Sequence, residues 1–401
     1  MASPLPTPQD ANTILEAEEL REKMLLAAQK AGASDIHIDP TENELLVRIR
    51  VDGVLHVWAK RPLLEHENLI SHLKIYSGLD ITRRSTPQEG HFTWIPPSQE
   101  SANKGRIFNI RSSFFPSVYG EAVALRLFNR ADLFIKLADL ELEDQGRDAV
   151  RALINRPYGM VLIAGPAGSG KTTTLYSLLG ELATESRNVV TLEDPVEYIL
   201  PHVRQSQIEP EHNYTFAAGI RSILRQDPDV IMVGEIRDLE TAENAVRVSL
   251  TGRLLLSTLH AYSSIGAVSR LLDMKIERDI LAYALSAVIS RRLVRRICQQ
   301  CRAPYMPPAS VLKTLDMSEH DTFFHGAGCD QCDHQGLRGR VGLFEVLMID
   351  EDLRRMIVEG ASLDVMLAAI QKKGFRTLRD DGIAKIHAGL TSPEEIVKAI
   401  V

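Results

Sequence analysis

Eight consecutive residues, Gly165-Pro166-Ala167-Gly168-Ser169-Gly170-Lys171-Thr172, leave few folds open to this chain. The apolar run Met160 to Ala164 precedes them and a helix-forming stretch follows. Glycine, lysine and threonine stand at every fixed position of the phosphate-loop pattern, in the strand–loop–helix context that the pattern requires. The glycines let backbone N–H groups turn inward around phosphates, and the helix N-terminus adds its positive end. Lys171 would reach the β- and γ-phosphates of ATP, and the Thr172 hydroxyl would hold Mg²⁺.

Strand and helix patterns alternate around this loop. Met160 to Ala164, Val189 to Leu192, Val230 to Val233 and Leu254 to Leu256 are short apolar runs separated by helical segments such as Asp238 to Thr251. That order predicts a mainly parallel sheet covered by helices. Carboxylates fall where such a sheet would bring them beside the loop. Glu193 ends the run before Asp194-Pro195, and Glu235 follows Asp229-Val230-Ile231-Met232-Val233-Gly234. Strand ends are where carboxylates can orient a water or Mg²⁺. Gly234 occupies the place where many phosphate-loop enzymes carry the magnesium aspartate, which leaves Glu235 as the carboxylate there. His260 ends Leu254-Leu255-Leu256-Ser257-Thr258-Leu259 and can sense a γ-phosphate or pair with a carboxylate.

The preceding region has a different rhythm. Ala17, Leu20, Met24, Ala27 and Ala31 share one helical face, which Gly32 closes, and Asp10 is a candidate cap. Val47, Ile49 and Val51 alternate with Arg48 and Arg50, Asp52-Gly53 marks a hairpin turn, and strands follow over Arg106 to Ser113 and Glu121 to Phe128. This reads as a small α+β domain. Near the C-terminus, Ser392-Pro393-Glu394-Glu395 is a helix-capping signature.

All four cysteines form two pairs, Cys298/Cys301 and Cys329/Cys332, with 27 residues between the pairs. Four thiolates so spaced suit a closed, structural Zn²⁺ site in a reducing compartment. A redox pair and buried unliganded thiols are the alternatives. Charged residues are 25% and hydrophobic residues 44%, which excludes wholesale disorder. Lys plus Arg is 46 and Asp plus Glu is 53, a net charge of −7, which disfavours general nucleic-acid binding. A zinc-containing nucleic-acid-binding protein with a regulatory phosphate loop has only Arg291-Arg292 and Arg295-Arg296 in its favour, and a solvated helix face accounts for these as well. An inactive nucleotide-dependent scaffold is disfavoured by Lys171, Glu193 and Glu235. The apolar run Ile280 to Ile289 is too short to span a bilayer, and Met1-Ala2-Ser3-Pro4 does not open a secretory signal.

Taken together, these segments resemble the secretion ATPase family of type II secretion and type IV pilus assembly, from about Ala33 to the C-terminus. Ser34-Asp35-Ile36-His37-Ile38 and Arg48 to Gly53 are similar to the start of its PAS-like domain. Gly165 to Thr173 resembles its Walker A loop, Leu192 to Glu197 its aspartate box, Arg225 to Asp238 its Walker B segment and Leu250 to His260 its histidine box. The cysteine pairs with Gly336-Leu337-Arg338-Gly339-Arg340 resemble a zinc subdomain that retraction motors generally lack. Arg111-Ser112-Ser113 and Leu125-Arg126-Leu127 match segments that supply arginines to nucleotide. Glu89-Gly90-His91 and Arg253 depart from the family pattern, and neither His91 nor Arg253 receives a role.

The resemblance implies an α/β fold in which a RecA-like P-loop ATPase domain follows a PAS-like α+β domain and carries a zinc-binding insertion and a helical C-terminal region. The expected divisions are a tail over 1–10, the PAS-like domain over 11–136, a linker over 137–156, the ATPase core over 157–297, the tetracysteine subdomain over 298–345 and the helical region over 346–401. About thirty residues precede Ala33, so the further docking domain of most secretion motors is not expected in this chain. The implied activity is ATP hydrolysis with Mg²⁺ by a cytoplasmic homo-hexamer, peripheral at the inner membrane. It would act on a membrane platform and the cytoplasmic domain of a membrane assembly protein, driving pseudopilins or pilins into a filament without nucleic acid. Type II secretion is the first reading and pilus extension the alternative.

Overall fold

The computed structural model describes residues 15–97, 107–129 and 135–400. They form two compact units: 15–129 with Cys298–Cys301 and Gly326–Gly339, and the remainder from residue 135 onward. The segment expected as one tetracysteine subdomain is thereby divided, because its cysteine loops pack with the first unit while 302–325 and the chain from Arg340 pack with the second. The expected tail over 1–10 and the Asp10 cap lie outside the described residues.

In the first unit, α1 (Ala17–Ala31) buries Leu20, Met24, Ala27 and Ala28 and ends where Gly32 turns to φ 65°. The six-stranded sheet comprises β1 (Asp35–Pro40), β2 (Glu44–Val51), β3 (Val54–Pro62), β4 (Gln88–Trp94), β5 (Phe108–Ser117) and β6 (Gly120–Asn129), in the order β3-β2-β1-β6-β5-β4. All neighbouring strands run antiparallel. Val47 and Ile49 enter the core, and Asp52 and Gly53, both at positive φ, close the hairpin that pairs Val51 with Val54. α2 (His66–Tyr76) adds Leu69, Ile70 and Leu73 to the same core. The edge strand β4 is absent from the sequence reading, since its polar and apolar residues alternate around Gly90 without a strong β-branched run.

The second unit opens with α3 (Asp144–Ile154). Its main sheet contains β7 (Gly159–Ala164), β8 (Val189–Glu193), β9 (Val203–Gln207), β10 (Val230–Val233), β11 (Leu254–Leu259), β12 (Leu285–Ile297) and β15 (Leu337–Met348), in the order β15-β12-β7-β11-β10-β8-β9. From β12 to β9 every pair is parallel. A small two-stranded sheet pairs β13 (Arg302–Tyr305) with β14 (Phe323–Gly326). Strands β7, β8, β10 and β11 are buried along their whole length, the burial expected of parallel strands covered on both faces.

The arginine doublets correct the sequence reading. Arg291-Arg292 and Arg295-Arg296 lie on β12, not on a solvated helix face. Leu285 to Ile289, apolar but for Ser286 at a bulge, runs beside β7, and the ladder carries the arginines onward with it. Arg291 is buried, and Arg295 pairs with Glu395 at 2.6 and 2.8 Å. Pro393 does begin the C-terminal helix Pro393–Ile400.

Candidate functional site

β7 lies between β11 and β12, and the chain leaves its carboxyl end into the glycine loop before α4 (Lys171–Leu182). Gly170 caps this helix at φ 84°, a conformation that side chains resist. Pro166, Ala167 and Gly168 line the accessible side of the loop, Ser169 is buried, and Thr172 is exposed on the first helical turn. Lys171 Nζ donates to the carbonyl oxygens of Gly165 and Pro166, at 2.9 Å each. Burial lowers the Lys171 pKa, and Glu235 opposes that shift. The ammonium is thus held over the loop, and a phosphate oxygen offers the same donors a charged acceptor.

Strand ends on the same edge of the sheet supply a charged cluster. Glu235 follows β10 and is bonded to Arg237, whose other nitrogen is 3.6 Å from Asp194. His260 Nε2, just after β11, is 3.8 Å from Glu235 Oε2. Hydrogen bonding to Glu235 raises the Arg237 pKa, so this cation is permanent. Burial, then Lys171, lowers that of His260, leaving the ring neutral at pH 7. The structure therefore joins Lys171, Glu235 and His260 electrostatically.

Glu193 behaves differently. It stands at the end of β8, as its sequence position predicts, but its carboxylate turns into the core and is only 3% exposed. Tyr176 Oη donates to it, as do Thr191 Oγ1 at 2.5 Å and Gln205 Nε2 at 3.0 Å. Burial, then Glu193, pushes the Tyr176 hydroxyl far above its ordinary value, so the group remains a donor. Two residues beside the site, Arg237 and Tyr176, are not singled out from the sequence, and Arg291 stands out there only as part of an arginine doublet. The first has a local signal, two positions beyond Glu235 in the same loop. The other two meet their partners only through the fold.

Arg111 and Arg126 lie in the first unit as directly paired residues of β5 and β6. Arg126 Nε donates to Asp35 Oδ1 at 2.9 Å, and Arg111 lies over the Phe128 ring at 5.2 Å.

Cys298, Cys301, Cys329 and Cys332 converge, with all four sulfurs within 4.8 Å of one another. The separations are 3.8 Å for Cys298–Cys329, 3.7 Å for Cys301–Cys332 and 3.8 Å for Cys329–Cys332. A tetrahedral zinc with bonds of about 2.3 Å to sulfur has sulfur–sulfur edges of about 3.8 Å. Backbone N–H groups of Gly328 and Gly336 point at Cys301 and Cys332 sulfurs from 3.2 Å, which suits thiolates. The donor set and its spacing fit Zn²⁺.

Residues 10–398 match the family described as Type II/IV secretion system protein. The chain is 42% identical to the type II secretion system protein E of Dickeya dadantii, over 97% of this chain and 78% of that protein. It is 38% identical to the type IV pilus assembly ATPase PilB of Thermus thermophilus, over 98% of this chain and 44% of that longer protein. In fold it is similar to the ATPase DotB of Legionella pneumophila, with a TM-score of 0.70, 23% identity and 98% of both chains covered. With the phosphate loop intact at the carboxyl edge of a parallel sheet, and relatives matched along nearly its whole length, the chain belongs to the type II secretion and type IV pilus assembly ATPase family and is an ATP-hydrolysing enzyme.

Proposed function

We propose that the chain is a hexameric motor whose Mg²⁺-dependent ATP hydrolysis drives pseudopilin assembly for type II secretion. The observation that carries this reading is the grouping of Lys171 with Glu235, Arg237 and His260 beside the glycine loop. The loop residues Gly165 to Thr172 cradle the phosphates. Lys171 exchanges its two carbonyl acceptors for phosphate oxygens, while the Thr172 hydroxyl and Glu235 provide oxygen ligands suited to Mg²⁺. Bound Mg²⁺ would neutralise charge on the phosphate oxygens. Glu235 orients the attacking water, and neutral His260 beside it answers to the γ-phosphate. Glu193 acts as a second carboxylate when the Tyr176 hydrogen bond releases it. Arg111 and Arg126 supply positive charge to the transferring phosphoryl group.

In this reading 11–136 is a PAS-like domain, 137–156 a linker, 157–297 a RecA-like core and 346–401 the helical region, while in 298–345 Zn²⁺ stabilises the two cysteine loops that pack with the first unit. The motor works in the cytoplasm against an inner-membrane platform and the cytoplasmic domain of an assembly protein. Among the described residues no helix is long and apolar enough to cross a membrane. Pilus extension is the second reading, favoured by the 38% identity to a pilus assembly ATPase. A gene deletion complemented with wild type or Lys171→Ala tests both readings, scored for secreted protein and for surface pili. Secretion restored by wild type alone supports the first reading, and pili restored by wild type alone support the second. Restoration of either by Lys171→Ala overturns the motor assignment.

A further inference from the structure

Arg291 is 7% exposed, and its position on β12 puts it directly behind the glycine loop. Ser290 pairs with Ala164, so Arg291 is the β12 residue at the level where the chain leaves β7 as Gly165. One guanidinium nitrogen donates to the Gly170 carbonyl and to Thr174 Oγ1, both at 2.9 Å. The Gly170 carbonyl is also the acceptor that starts α4, through Thr174 N at 3.0 Å. A Cβ on Gly170 would stand 2.7 Å from the guanidinium, and one on Gly165 would stand 2.6 Å from the Arg291 carbonyl oxygen. Glycine at both positions therefore admits Arg291 as well as a ligand.

The charge on Arg291 is costly where it stands. Its direct partners are neutral, and the charged neighbours that interact with it, Arg340 and Lys385, are cations as well. Burial, then Arg340, lowers its pKa to about 10, which leaves it protonated at pH 7. It faces the positive end of α4, where a cation is disfavoured. Lys171 begins that helix. The Phe344 ring, 5.0 Å away, offers only a weak counterweight. Buried charges are ordinarily paired, and an anion in the loop would relieve all of these terms at once.

We infer that Arg291 is a positioning residue that fixes the start of α4 and holds a buried positive charge behind the phosphate loop, to be compensated by nucleotide phosphates. Its hydrogen bonds go to the Gly170 carbonyl and Thr174 Oγ1. This role rests on the reading of the loop as the ATP site. It differs from a structural brace in its sign: the charge burdens the empty protein and favours the occupied one.

The test compares the full-length wild type, Arg291→Gln, Arg291→Lys and Lys171→Ala. The Gln variant keeps an amide donor for the Gly170 carbonyl and removes the charge. The Lys variant keeps the charge. Calorimetry gives the affinity for Mg·ADP, melting is followed with and without Mg·ADP, and steady-state kinetics give KM and kcat for ATP. Arg291→Gln should bind ADP about tenfold more weakly, the order expected for one charge removed from a site of protein-like dielectric. Without nucleotide it should melt no lower than wild type, and its ADP-induced rise in Tm should be smaller. The loss should fall on KM more than on kcat, and Arg291→Lys should recover most of the affinity. Wild-type ADP affinity in Arg291→Gln overturns the inference, as does a nucleotide-free Gln variant that unfolds or melts well below wild type. Failure of wild type to bind ADP would instead overturn the reading of the loop. Loss of binding in Lys171→Ala alone would leave that reading standing and remove only Arg291.

Discussion

Arg111 stands directly opposite Arg126 across the β5–β6 ladder, so two guanidinium groups project from one face of the sheet. Asp35 takes Arg126 from a neighbouring strand. Like charges in this register destabilise a sheet, and an anion that meets both turns the cost into affinity. A supplied arginine is worth roughly 10³–10⁵ in turnover in phosphoryl-transfer enzymes. Arg111→Ala or Arg126→Ala should therefore reduce ATP turnover far more than ADP binding. ATPase rate per chain across a dilution series checks this together with assembly. On the proposed ring assembly, wild-type activity should rise with concentration, and full activity in both variants would remove the arginine role.

Lys171→Ala should abolish turnover and weaken nucleotide binding. The variant loses the one full positive charge that the loop itself presents, and the two carbonyls it now satisfies, on Gly165 and Pro166, remain in place. Phosphate release near the wild-type rate would mean that hydrolysis occurs elsewhere.

Glu235→Gln should keep ATP bound and stop its cleavage, since the amide can still accept from Arg237 but cannot draw a proton from water. His260 beside it gives the site a pH dependence. Burial, then Lys171, holds its pKa below the ordinary 6.5, with Glu235 pulling the other way. Because the folded pKa is depressed, the neutral ring persists at pH 7 and is lost only as pH falls through a value below 6.5. If the neutral ring is the working form, kcat should fall on that acid side, and His260→Asn should flatten the limb. An identical acid limb in the variant would assign it to another group.

Much of this site is legible in the sequence because its parts are local. The loop from Gly165 to Thr172 carries its own geometry, and apolar runs announce the strand ends that deliver Glu235 and His260. What stays hidden depends on side-chain direction across the fold. The sequence puts Glu193 at the end of β8, but the partner that turns it inward, Tyr176, comes from the second turn of α4. Arg291 follows the same rule. Its neighbours Arg292 and Arg295-Arg296 make it look like part of a solvated face, and only the pairing of β12 with β7 buries it behind the loop. The division of the cysteine segment between two units is equally non-local, since Cys298–Cys301 and Gly326–Gly339 are 24 residues apart in sequence.

Tyr176→Phe should destabilise the second unit by about 1–3 kcal/mol, the cost of leaving a buried acceptor one donor short. Glu193 would keep Thr191 and Gln205 but lose the Tyr176 hydroxyl. The urea midpoint measures the effect. Glu193→Ala should slow hydrolysis besides. An unchanged midpoint in Tyr176→Phe would show that the hydrogen bond adds nothing to the folded state.

The cysteine centre yields the last expectation. Sulfur separations of 3.7–3.8 Å already match the edges of a zinc tetrahedron, and a closed four-thiolate site binds one metal per chain. Elemental analysis should find about one Zn²⁺ per chain. Zinc of this kind contributes on the order of 10 kcal/mol to folding its loops, so chelation or Cys329→Ser should loosen the chain from Cys298 to Arg340. The effect should extend to one place far off in sequence. Gly339 N donates to Asp52 Oδ2 at 2.8 Å, which ties the end of the cysteine segment to the β2–β3 hairpin. Hydrogen exchange should therefore quicken at Gly339 and around Asp52-Gly53, while the buried amides of β7 and β11 keep their protection. A wild type that is metal-free and fully protected throughout 298–340 would refute the zinc assignment.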